Sequence, residues 1–169
     1  QEVARIGADM QRLMRECGFS GEMDAFLAHL RTDPRYYPRS GDELLARASW
    51  IAKRIDGVLP RFFGKLPRQP FGVAPVPDEI APFYTSGRYV PAPAEGDQAA
   101  LYWVNTCKLD SRAWYALPAL TLHEAVPGHH LQTALAAENT GQPMFRRLDA
   151  LSAHGEGWAL YAEFLGSEM

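Results

Sequence analysis

Residues 120–132 read LTLHEAVPGHHLQ. Three of the chain's five histidines fall here, at His123, His129 and His130, with Glu124 beside the first. Neutral imidazoles and carboxylates are zinc ligands, and a catalytic zinc keeps one position open to water. A glutamate next to a ligand histidine can take a proton from that water, the logic of two histidines one helical turn apart. Here the histidines are six and seven positions apart. On an unbroken helix His129 would be turned by roughly 240° from His123 and shifted ~9 Å along the axis, and His130 would lie ~10.5 Å away. Pro127 and Gly128 offer the way out, because proline interrupts a helix and glycine admits a tight re-entry. The helix is therefore expected to deviate at Val126–Gly128, as a bulge that carries the second histidine back to the first.

A third ligand is expected from another helix. Residues 152–163, SAHGEGWALYAE, place Glu156 between Gly155 and Gly157, where a neighbouring helix could approach closely. Glu156 is either that ligand or an exposed helix glutamate. Glu163, seven residues on and on the same face, is a candidate supporting partner of the ligands. His154 is offset from Glu156 and should point elsewhere, and His29 is expected to be structural.

Working toward the N-terminus, Ala100–Thr106 (ALYWVNT) is apolar, aromatic and β-branched and reads as a strand. Tyr102, Trp103, Val104 and Asn105 could offer an edge on which a peptide lies, or could be core. Before it, prolines crowd residues 60–93 and exclude long helices. Phe71–Val76 is a short strand candidate there, and Gly87–Gln98 reads as a surface loop. Helices are expected at 3–17, at Met23–Leu30 and from Ser40 to Ile55, the last opened by Ser40 and Glu43 as a capping box. The chain divides into a helical part (1–58), a proline-rich part (59–99) and a strand with metal-site helices (100–169). It is expected to be mainly α with a small β element.

The whole composition fits this. The 169 residues are 47% hydrophobic and 22% charged, as in a globular chain, with a net charge of −3. That balance argues against a nucleic-acid partner, and no apolar run is long enough to span a membrane. Cys17 and Cys107 cannot form a thiolate zinc site by themselves. Helical periodicity starts at Val3 and the Leu160–Leu165 pattern runs almost to Met169, so the chain reads as an inner portion of a longer protein. Its remaining segments are expected partners, and compartment, cytoplasmic or exported, stays open.

The combination HEAVPGHHLQ, then EGWALYAE, preceded by YWVNT, resembles the bacterial "domain of unknown function 885" family over nearly the whole chain. The resemblance implies a helical gluzincin-like metallopeptidase core, with Zn²⁺ held by two histidines of one helix region and a glutamate of a later helix. It makes His123 the first ligand, Glu124 the general base for metal-activated water and Glu156 the downstream ligand. Alignment on Gly-His makes His129 the second ligand, with His130 the alternative. The substrate would be a peptide. Two other readings remain: a non-catalytic metal-binding structural or interaction domain, and a zinc hydrolase acting on a non-peptide amide.

Overall fold

A computed structural model describes residues 1–93, 97–148 and 151–169. Part of the expected 87–98 loop, residues 94–96, lies outside it. The helices are α1 (Glu2–Glu16), α2 (Met23–Thr32), α3 (Gly41–Asp56), α4 (Leu117–Glu124), α5 (His129–Glu138), α6 (Met144–Leu148) and α7 (Ser152–Leu165). Three strands, β1 (Phe71–Pro75), β2 (Gly87–Val90) and β3 (Ala100–Val104), form one sheet. The chain is mainly helical, as its periodicity indicated.

Local chemistry explains the boundaries. At the start of α3 the Ser40 Oγ accepts from the Glu43 N–H at 3.1 Å. The Glu43 carboxylate reaches back to the Arg39 N–H at 2.7 Å, one residue before the capping-box partner. Asp33 ends α2 in extended geometry and accepts from the Arg35 N–H at 2.9 Å.

The sheet order is β1-β3-β2, with β1 parallel and β2 antiparallel to β3. This corrects two expectations. Residues 87–90 are a strand and not loop, with Tyr89 opposite Tyr102 in the ladder. And β3 is the central strand, so Tyr102, Trp103 and Val104 offer no free edge: both their backbone sides are taken by β1 and β2. Tyr102 and Val104 face inward instead, joining Leu44, Ala48, Ile51, Leu117 and Ala125 in the larger hydrophobic cluster. Asn105 is buried, its amide donating to the carbonyls of Ala81 (2.8 Å), Tyr84 (3.2 Å) and Thr85 (3.0 Å). It ties down the turn before β2 and is not available to a substrate.

A second cluster of Leu59, Val126 and Leu131, flanked by Phe63 and Trp158, lies under the junction between α4 and α5. Burying Val126 there fixes the junction to the core, so the residues on either side of it inherit a defined position.

Candidate metal and catalytic site

The expected bulge is a complete break, which corrects the single-helix reading. Helix α4 stops at Glu124, residues 125–128 form a corner with a cis Val126–Pro127 peptide, and α5 begins at His129. The Ala125 carbonyl still accepts from the His130 N–H at 3.0 Å, bridging the corner. Gly128 is required by its surroundings. A Cβ built on it would sit 1.9 Å from the His123 carbonyl oxygen and 2.4 Å from that of Leu122. Only a residue without a side chain lets α5 start this close to the end of α4. The corner is fixed from outside as well: the Trp158 indole N–H donates to the Pro127 carbonyl at 2.7 Å, joining α7 to the junction.

The consequence is that the His123 and His129 rings meet edge to face, with centroids 4.8 Å apart. The α7 carboxylate of Glu156 closes the group, with an oxygen 3.2 Å from His123 Nε2 and the other 3.8 Å from His129 Nε2. One ligand atom from each of these three residues lies within 4.8 Å of the others. Bonds of ~2.0–2.1 Å at tetrahedral angles would put zinc ligand atoms roughly 3.3 Å apart. The Glu156–histidine separations of 3.2 and 3.8 Å bracket that spacing, so the donor set and its dimensions suit Zn²⁺.

Electrostatics favour ligand behaviour. Burial, and then the neighbouring His123, hold the His129 pKa below its ordinary value, so this imidazole is neutral with a lone pair to give. His123 Nδ1 lies 2.7 Å from a Glu163 oxygen. A proton on Nδ1 donated to that carboxylate leaves Nε2 aimed at the group, the usual arrangement behind a ligand histidine. Glu163 thus meets His123 at Nδ1, while Glu156 meets it at Nε2.

Glu124 sits at the same corner but outside the ligand group. One oxygen accepts from the Tyr89 backbone N–H at 2.8 Å. Its burial pushes the carboxyl pKa above the ordinary value, against the lowering effect of that hydrogen bond and of His123.

The remaining candidates fall elsewhere. His130 is 2% exposed, about 100° further round α5, with Nε2 3.1 Å from the Gln69 carbonyl and its ring against Phe71 and Tyr89. It is His129, and not His130, that meets His123. His154 is exposed, and His29 stacks between Phe19 and Tyr36, as expected of a structural residue. A Cβ at Gly155 or Gly157 would meet nothing within 4 Å among the described residues. The glycines flanking Glu156 therefore do not serve a close helix contact here, a correction to the reason given for them. Two participants went unrecognised from sequence, the β2 backbone at Tyr89 and the Trp158 indole.

The family model described as "Bacterial protein of unknown function (DUF885)" matches residues 1–169. The chain belongs to this family. It is also similar to a solved crystal structure, of the "putative lipoprotein from Colwellia psychrerythraea". The two share 30% identity at a TM-score of 0.92, over 99% of this chain and 29% of that one. The chain thus spans less than a third of that protein's length. No curated protein matches it. Among the described residues no helix is long and apolar enough to cross a membrane.

Proposed function

We propose that this part of the DUF885 protein carries the metal ligands and the general base of a zinc-dependent peptidase. The observation that carries the reading is the convergence of His123, His129 and Glu156 to within 4.8 Å beside a half-buried, separately held carboxylate. Three protein ligands of this kind are the complement of a catalytic zinc, whereas a structural one takes four. Zinc bound there would supply Lewis acidity and a water of lowered pKa.

The chain's own residues divide the rest of the work. Tyr89 N–H fixes one oxygen of Glu124, which leaves the other to take a proton from water and return it to the leaving amine. The raised proton affinity of the half-buried carboxyl suits it to hold that proton between the two transfers. Glu163 orients His123. The outer edge of β2 runs past this group. Because Tyr89 N–H points to Glu124, the alternation of an antiparallel ladder turns the backbone groups of Gly87 outward too. An extended peptide can add to that edge and bring its carbonyl next to Glu124.

The test is metal analysis and cleavage of a peptide mixture by the whole protein and its Glu124→Gln variant. The variant should keep stoichiometric zinc and lose cleavage by about 10²–10⁴-fold. Unchanged cleavage removes Glu124 from the mechanism. Loss of zinc makes it a ligand and favours a structural metal.

A further inference from the structure

The β2 edge carries one more group that the peptidase reading leaves unused. Arg88 precedes Tyr89, so its Cα is two covalent bonds from the nitrogen that holds Glu124. Along β2 the side chains alternate, Gly87 and Tyr89 buried and Arg88 exposed. Gly87 packs against Leu120 of α4 and Tyr89 against His130 of α5, which puts Arg88 on the other face of the strand.

Among the described residues Arg88 makes no ion pair and no side-chain hydrogen bond. Arg5, Arg12, Arg35, Arg112 and Arg147 each hold an acceptor. Glu124 takes its hydrogen bond from the Tyr89 backbone and forms no salt bridge with Arg88. The other charged side chains gathered at this corner are carboxylates: Glu124, Glu156 and Glu163. A substrate with a carboxylate of its own would be repelled by them unless a cation met it.

We propose that Arg88 is a specificity-determining residue that pairs with a carboxylate of the bound peptide next to the scissile bond. A peptide added to β2 alternates its side chains between the two faces of the sheet. The residue opposite Arg88 therefore presents its side chain on the Arg88 face, where opposite charges on neighbouring strands attract. Arginine suits the task, since its planar fork holds a carboxylate bidentately. The carboxylate comes either from an Asp or Glu side chain or from the peptide's own C-terminus.

This inference rests on the peptidase reading for its substrate, and its test separates the two. Binding is measured on the non-turnover Glu124→Gln form of the whole protein, by calorimetry with hexapeptides that differ only in Glu, Gln or Lys near the centre. Each is prepared with a free and an amidated C-terminus. A carboxylate partner should tighten Kd by about 10–100-fold, the range of a charge-assisted hydrogen bond. Arg88→Ala in the same background should abolish the preference, and Arg88→Glu should shift it toward Lys-containing peptides, a reversal that a structural role would not produce. Preference for Glu in amidated peptides identifies a side chain as the source, and preference for the free terminus identifies the terminal carboxylate. Equal Kd values for all peptides, no binding, or a preference that survives both substitutions overturns the proposal. The peptidase reading is judged independently, by whether the Glu124-intact protein cleaves the same peptides.

Discussion

Gly128 shows how one residue can make a site exist. The His123 and Leu122 carbonyl oxygens occupy the space that a Cβ would need, so Gly128→Ala must push α5 away from α4. His129 then leaves His123. In the whole protein the substitution should cost about 3 kcal/mol of stability, at the upper end for forced overpacking, read by urea unfolding with zinc removed. It should also weaken zinc retention. Stability within about 0.5 kcal/mol of the parent would show that the corner can relax, since that is the level of an inconsequential surface change. Glu163→Ala tests a subtler residue. It leaves His123, His129 and Glu156 in place and removes the acceptor 2.7 Å from His123 Nδ1. Zinc affinity should fall by about 10–100-fold in a chelator competition. No change would mean that the ring is held by packing alone. The residues of this site were legible because their chemistry lies in two short runs. Imidazole and carboxylate donors at a Pro-Gly break, and a glutamate 32 positions after Glu124, mark a candidate metal site without any knowledge of the fold. The role of Gly128 was legible only as freedom to turn. That it faces two carbonyls is a fact of the corner it makes.

At the scale of elements, what could be read depended on how local the cause was. Helix α3 carries its own signals, the cap at Ser40 and an apolar face at Leu44, Ala48, Ile51 and Ala52, and both appear in the fold. Strand β2 carries almost none. Gly-Arg-Tyr-Val is four residues long, lies within the proline-rich stretch, and becomes a strand only by pairing with β3. The same long-range pairing moved β3 from the edge to the centre. Helix α7 offers a test of how elements are locked together. It brings Glu156 and Glu163 to the site, and its Trp158 indole holds the Pro127 carbonyl at the α4–α5 corner. Trp158→Phe keeps an aromatic ring beside Phe63 and Tyr161 but leaves that carbonyl without its donor. The expected loss is about 1–3 kcal/mol, the cost of a hydrogen-bond partner left unmade. Zinc affinity should fall with it, because the corner and α7 carry different ligands. A stability loss with unaltered zinc affinity would limit Trp158 to packing.

At the scale of the whole molecule, the surface is informative. Helix α1 buries no residue, and Val3, Ile6 and Leu13 on it are exposed. Met144, Phe145 and Leu148 on α6, with Leu160 and Phe164 on α7, are exposed as well. Apolar residues gathered on helices in this way mark a surface that meets something else. The similar Colwellia psychrerythraea chain is more than three times as long as the part this chain matches. The 169-residue chain by itself should therefore associate or bind a hydrophobic dye, whereas the whole protein should do so much less. Sedimentation of both at equal concentration, with dye fluorescence alongside, checks this. The same comparison bears on catalysis. Tyr161 is half exposed on α7, the helix that carries Glu156, while the Tyr89 hydroxyl is buried without a partner among the described residues and its pKa is pushed up to about 12. Neither is placed by a contact with the ligand group. If the donor that stabilises charge on the scissile carbonyl lies in the rest of the protein, the isolated chain at equal zinc occupancy should be slower by about 10²–10³-fold on one peptide mixture. Monomeric behaviour with comparable turnover would mean that the exposed faces need no cover and that the donor lies within these residues. Tyr161 would then be the first to substitute.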